Sequence, residues 1–354
     1  MSTTVLLTGL NGFVAVHVAV AFLSRGHHVV GTVRSEDKKA KVNELFALKK
    51  YAADGSLQVF VVPDLVNADW DWDTPLLKDV NAIAHVASPY DLTLPTYGQY
   101  AAPAIAGTRN LLQAASKNPN IKSVAVLSSM AASLDGFGKA PTDHGGKVYT
   151  EDDWLPFTEE DAEKSDNNPG LWYSVSKKYA ELEAWKVQKD TNAKWTLATI
   201  LPPAIFGPPD QIGDLKELQG SFGKDISTST IFATLALGTT VELPGDFTVR
   251  YVDVRDTAEA TYLAITTHAN GRFHNDGEKY TSKRIVDIAR KLRPDLDRFF
   301  NKAKEDRLDE PPAGSYDVDA SKSVRELGLK YRTLEDTVQG TIDTFERLGL
   351  YANA

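Results

Sequence analysis

The chain has 354 residues, 42% hydrophobic and 25% charged, with a formal charge of −9 at pH 7 and a pI near 5.4. Such a composition supports a sizeable core in one large or two medium domains, and argues against a binder of nucleic-acid backbones, which presents a basic face. The absence of cysteine excludes a disulfide framework, a thiolate nucleophile and a cysteine-ligated zinc, and fits a reducing, cytoplasmic setting.

Val5 to Ser24 carries no Asp, Glu, Lys or Arg, which is the length of a membrane span. The internal TGLNG interrupts it and no basic residue precedes it, so it reads as a buried strand followed by a packed helix and not as an anchor or signal segment. The expectation is a protein without a membrane or nucleic-acid partner, monomeric or homodimeric, acting on a small molecule.

In chain order, TVLLTG is a short apolar run suited to a strand buried on both faces of a parallel sheet. The stretch FVAVHVAVAFLSRG then reads as a helix closed by Gly26 in the usual cap position, and HHVVGTVR as a second strand. Further strands are expected at 58–65, 80–88, 122–130 and 195–203, with helices between them, notably YAAPAIAGTRNLLQAASK and the segment around LWYSVSKKYAELEAWK. This alternation predicts an α/β fold, a Rossmann-type doubly wound parallel sheet. After Pro203 the texture turns to Gly, Pro and hydroxyl residues, interrupted by RYVDVRD and TAEATYLAITTH. The expected division is therefore a dinucleotide domain of residues 1–202 plus about 247–268, interleaved with a substrate lobe of residues 203–246 and 269–354.

TGLNGFVA sets Gly9, Gly12 and Ala15 between strand and helix. Glycines there permit a tight turn and close approach to a pyrophosphate, which lies on the positive end of the helix. Asn11, Phe13 and Val14 complete the turn. The second strand ends on Val33, Arg34 and Ser35, where a carboxylate would select NAD. Arg34, with Lys38 one turn later, instead suits the 2′-phosphate of NADP. Asp64, followed by Leu65, either accepts a hydrogen bond from the adenine or caps the next turn.

Ser128 and Ser129 end a strand, on the sheet edge that forms the ligand crevice. Tyr173 and Lys177 stand one turn apart on a helix face near that edge. The chemistry these residue types suit is hydride exchange between nicotinamide and a carbonyl or alcohol carbon, with a proton moved at the oxygen. A free phenol is a weak donor at neutral pH; an ammonium about 5 Å away at an effective dielectric near 20 contributes about 3 kcal/mol, some two pKa units. Lys177 is thus expected to acidify Tyr173 and Ser129 to orient the substrate oxygen. The seven histidines show no metal-ligand spacing, no metal is expected, and His85 reads as a wall or core residue, not a proton shuttle.

TGLNGFVA, HVASP, LSSMAA, YSVSKK and YVDVRDTAEA resemble, in order, the blocks of the extended short-chain dehydrogenase/reductases. FVVPDL, LPPAIFGPP and the C-terminal DASKSVRELGLKYRTLEDTVQGTID are most similar to the dihydroflavonol reductase branch, especially the fungal NADPH-dependent aldehyde and methylglyoxal reductases. The resemblance implies a Ser129, Tyr173, Lys177 triad and the phosphate turn at Gly9, Gly12 and Ala15. It further implies Arg34 and Lys38 on the 2′-phosphate, Asp64 at the adenine, Ala87 beside the nucleotide, and Pro202 with Ala204 near the nicotinamide amide. Two departures stand out: a long segment between Ser129 and Tyr173, and LPP in place of the usual Asn-Pro pair.

The expected activity is NADPH-dependent reduction of aldehydes and ketones, with Tyr90, Met130 and Phe206 lining the substrate pocket. A nucleotide-sugar epimerase or dehydratase is the second reading, weakened because only Lys216 and Lys224 between 203 and 245 offer charge to a diphosphate. A non-enzymatic NADP sensor is the third, and it has no need of Ser, Tyr and Lys together.

Overall fold

The computed structural model describes residues 2–88, 93–223, 226–246, 248–302 and 307–352. Its strands are β1 Thr4–Leu7, β2 His28–Val33, β3 Leu57–Val61, β4 Ala82–His85, β5 Ser123–Leu127, β6 Val148–Tyr149, β7 Thr196–Leu201, β8 Ala204–Phe206, β9 Arg250–Asp253, β10 Gly271–His274, β11 Glu278–Lys279 and β12 Asp317–Val318. The helices that position the site are α1 Phe13–Leu23, α2 Glu36–Glu44, α3 Gly107–Ala115, α4 Pro169–Asp190 and α5 Val254–Thr266.

Seven strands form one parallel sheet in the order β10-β7-β5-β4-β1-β2-β3. From β1 the chain winds outward through β2 and β3, then crosses back to β4 and winds the other way. The reversal lies between β1 and β4, where a doubly wound sheet opens its crevice at the carboxyl ends of the strands. The apolar run of β1 is buried on both faces: Val5 and Leu7 face a core built with α1 and α5, Leu6 one that includes Leu111, Leu112, Ala184 and Val187 of α3 and α4.

The second lobe contains a small sheet of order β11-β9-β8 and a separate core in which Phe206, Tyr251 and Tyr280 meet residues of the helices Ile226–Ala236, Ser282–Leu292 and Leu334–Arg347. Two boundaries differ from expectation. Residues 250–253, placed with the dinucleotide domain, are β9 of the small sheet, and 271–274, placed with the substrate lobe, are β10 at the edge of the large one. The expected helix over 100–117 is divided as Tyr97–Ala101, a wide π turn over Ala102–Ala106, and α3. Pro103 falls in that turn, and its missing N–H breaks the regular ladder.

Candidate active site

Gly9 has φ +72°, a left-handed conformation. A Cβ on Gly9 would lie 3.0 Å from Cβ of Ala87, so the bare glycine lets the exit of β4 close onto the turn. Thr8 Oγ1 accepts the N–H groups of Val86 and Ala87, each at 3.0 Å. Gly12 donates to Gly9 O at 2.9 Å and is the N-cap of α1, which has no side-chain cap and no acid in its first turn. The first N–H groups of a helix have no intrahelical partner. Asn11, Gly12, Phe13 and Val14 therefore surround a helix start suited to an anion, while Ala15, 1% exposed, packs under it.

Arg34 follows β2 and Lys38 lies in the first turn of α2; both are exposed. Ser35 caps that helix, accepting from Lys38 N at 3.4 Å. The intervening Glu36 pairs with Lys39 at 3.8 Å, leaving the Arg34 and Lys38 side chains outside the ion pairs of the described residues. Asp64 caps the following turn, accepting from Val66 N at 2.9 Å and Asn67 Nδ2 at 2.7 Å. Leu65 lies beside it, its carbonyl accepting from Asn110 Nδ2 of α3.

Asn168 caps α4 by accepting from Leu171 N at 3.1 Å, and Pro169 occupies the first helical position. One turn in, Tyr173 is hydrogen-bonded to Ser129, which leaves β5 and accepts from Ala131 N at 3.1 Å. Met130 N donates to Pro202 O at 2.9 Å, stitching the loop after β5 to the loop after β7 and bringing Pro202 and the start of β8 at Ala204 to the same edge. Ser129, Tyr173 and Lys177 thus share one end of the sheet with the glycine turn.

The charges of the pair differ from expectation. Burial pushes the Tyr173 phenol up to about 12, against the opposing hydrogen bond from Ser129. Burial also lowers Lys177 to about 8, opposed by the carboxylate of Glu181. The Lys177 ammonium is bonded to Leu127 O at 2.7 Å. In this conformation the phenol responds to burial and to the Ser129 hydrogen bond.

His85 is 3% exposed and lowered to about 3, by burial first and by the Lys177 charge second. Thr108 Oγ1 donates to Ala104 O at 2.7 Å, so it accepts from His85 Nε2 at 3.0 Å. His85 Nδ1 then accepts from Thr8 Oγ1 at 2.9 Å. A neutral imidazole with both nitrogens engaged ties β1, β4 and α3 together beneath the cleft. A small cleft here is lined by His85, Ala87, Ser88, Thr108, Lys177 and Glu181 among others.

Of the three expected substrate-lining residues, Tyr90 lies outside the described residues. Met130, 3% exposed, packs in a small cluster with Tyr149, Tyr316 and Val318. Phe206, 1% exposed, is stacked on Tyr251 and met edge-on by Tyr280 in the second core. Both side chains are buried in these clusters. Phe206→Ala is accordingly expected to lower stability by about 3–5 kcal/mol in urea unfolding, with unchanged ranking among substrates; an altered ranking without that loss would return Phe206 to the pocket.

Two site residues were not foreseen. The long segment after Ser129 places Phe137 against Tyr173, ring centroids 6.1 Å apart at 81°, and a Cβ on Gly170 would lie 2.5 Å from Phe137 Cβ. The second is Glu181, 1% exposed, whose carboxylate accepts from Ser128, Thr199 and Arg272. Its signal was an acid continuing the four-residue spacing of Tyr173 and Lys177 on one helix face.

Known proteins share this architecture along nearly the whole chain. Gre2 from Candida albicans, solved in complex with NADPH, superposes with a TM-score of 0.80 at 30% identity, covering 98% of this chain and 99% of that one. A ketoreductase of Aspergillus niger is 32% identical over 96% of each chain, and an NADPH-dependent methylglyoxal reductase of Saccharomyces cerevisiae is 27% identical over 96% of each. Among the described residues no helix is long and apolar enough to cross a membrane. The span from β1 to just beyond β10, residues 5–277, matches the NAD dependent epimerase/dehydratase family, and the chain belongs to that family.

Proposed function

We propose that the protein is an NADPH-dependent carbonyl reductase, converting aldehydes and ketones, dicarbonyls such as methylglyoxal among them, to alcohols with Tyr173 as general acid. The observation that carries this reading is the hydrogen-bonded Ser129 and Tyr173 pair, one turn from a buried Lys177, at the carboxyl edge that also holds the glycine turn.

The residues present fit a dinucleotide. The α1 start lacks a side-chain cap, and among the described residues the buried Ser88 hydroxyl in the cleft has no hydrogen-bond partner. Gly9, Gly12, Phe13 and Val14 would hold the diphosphate, Arg34 and Lys38 the 2′-phosphate, and Lys177 the ribose hydroxyls near the nicotinamide. When bound, reduced nicotinamide supplies a hydride to the carbonyl carbon.

Ser129 donates a hydrogen bond to the carbonyl oxygen and fixes it beside the phenol. Tyr173 delivers its proton to that oxygen, so one hydride and one proton complete the alcohol. A phenol held near 12 is a reluctant donor; Lys177 must leave Leu127 O and turn its charge toward Tyr173 to lower that cost. Phe137 packs edge-to-face with the Tyr173 ring.

The test is the fall in reduced-nicotinamide absorbance, NADPH against NADH, with methylglyoxal, branched aldehydes, an aromatic ketone and a keto ester. NADPH-supported turnover of an aldehyde or dicarbonyl is expected. Tight NADPH binding with no turnover of any carbonyl would overturn the reading and favour a sensor or a sugar-nucleotide enzyme.

A further inference from the structure

We propose that Glu181 is the fixed counter-charge of Lys177, a positioning residue that keeps the proton-delivering pair in its working ionisation state. The inference rests on the assignment of Tyr173 and Lys177 above.

Tyr173, Lys177 and Glu181 follow one another at four-residue intervals along α4, on one face. The Lys177 side chain is 5% exposed and its Nζ is bonded to a neutral carbonyl, Leu127 O. Burying an ammonium against a carbonyl alone disfavours the charged form. Glu181 lines the same cleft, and its attraction opposes the burial that lowers Lys177.

Carboxylates are almost never fully buried unless paired, and Glu181 is held from three strands. It accepts from Ser128 Oγ of the β5 end at 2.6 Å, Thr199 Oγ1 of β7 at 2.7 Å and Arg272 Nε of β10 at 2.8 Å. Arg272 divides its remaining donors among Ser133 Oγ at 3.1 Å and the carbonyls of Glu151 and Asp153, with its guanidinium 3.7 Å over the Trp154 ring. The guanidinium therefore braces the wall built from 151–154 as well as orienting the carboxylate.

The other charged or titratable groups facing this site are His274 of β10, Glu151 after β6, and His85 of β4, which stays neutral. On the outer side of α4, Glu183 pairs with Arg109 of α3 at 2.6 Å. None of these is placed by the helix periodicity on the Tyr173 and Lys177 face, as Glu181 is.

The ammonium is the active form, so wild-type kcat/KM is expected to fall as pH rises through about 8, where Lys177 gives up its proton. Removing the counter-charge lowers that point. Glu181→Gln is expected to move the basic limb about one unit to the acid side, making its deficit about fivefold larger at pH 8 than at pH 6. The pH dependence of NADPH affinity, read from nucleotide fluorescence without turnover, should move in the same sense.

A strut role alone predicts an equal loss at every pH with the limb unmoved, and that result would overturn the proposal. Glu181→Gln leaves a buried arginine unpaired; should it not fold, the double variant Glu181→Gln/Arg272→Met removes both charges and must show the same displaced limb. Tyr173→Phe is measured in parallel. If it keeps wild-type turnover, the assignment of the pair fails and this proposal with it; if it is inactive while the limb stays in place, only the role of Glu181 fails.

Discussion

Tyr173→Phe is expected to lower kcat/KM for carbonyl reduction by about 10²–10⁴-fold, the usual worth of a positioned general acid, with NADPH affinity within about threefold of wild type. The substitution removes one oxygen whose partner is the Ser129 hydroxyl and keeps the ring that meets Phe137 edge-on. The fold should be indifferent to it, since Tyr173 lies at the edge of its cluster and keeps an exposed margin. A folded, NADPH-binding variant that still reduces its substrate at the wild-type rate would remove Tyr173 from the chemistry and leave water or another group as the donor.

The same residues show what the sequence could and could not reveal. The β1 strand, the glycine turn and α1 were legible because each carries a local signature: an apolar run buried on both faces, a glycine needed at positive φ, and an uncapped helix start. The gathering of Ser129, Tyr173 and Lys177 followed from the rule that strand ends in a parallel sheet share one edge.

Orientation was not legible. Met130 follows Ser129 directly, yet packs among Tyr149, Tyr316 and Val318, which come from segments far away in the chain. Phe206 is claimed by Tyr251 and Tyr280 in the same way. The exchange of β9 and β10 between sheets has the same cause, because four-residue strands carry the same pattern whichever sheet receives them.

The ionisation of the site was not legible for a related reason. Helical spacing places Lys177 one turn from Tyr173, but the direction of a flexible four-carbon side chain depends on its acceptors. Leu127 O, at the end of β5, takes the ammonium. Burial then dominates both groups, raising the phenol and lowering the amine. Under the proposed mechanism the lysine must change partner, which makes its protonation the sensitive variable and gives the buried Glu181 its proposed role.

The second large effect is expected at the other end of the crevice. Arg34→Ala/Lys38→Ala should lower the ratio of kcat/KM with NADPH to that with NADH by about 10–100-fold. Each charge-assisted hydrogen bond contributes about 1.5–3 kcal/mol when well formed, but both side chains are exposed and solvent screening reduces that toward about 1 kcal/mol each. The selectivity belongs to the 2′-phosphate alone, so the loss should fall on KM for NADPH while turnover with NADH changes little. Ser35 continues to cap α2 in the variant, since its oxygen accepts the backbone N–H of Lys38, and Glu36 keeps Lys39; the two charges are removed without unravelling the helix. The preference should also weaken in wild type as ionic strength rises, because exposed charges are screened over about 10 Å at 0.1 M salt. An unchanged NADPH preference in the double variant would show that neither residue reads the phosphate and that the turn ahead of α2 discriminates through its backbone.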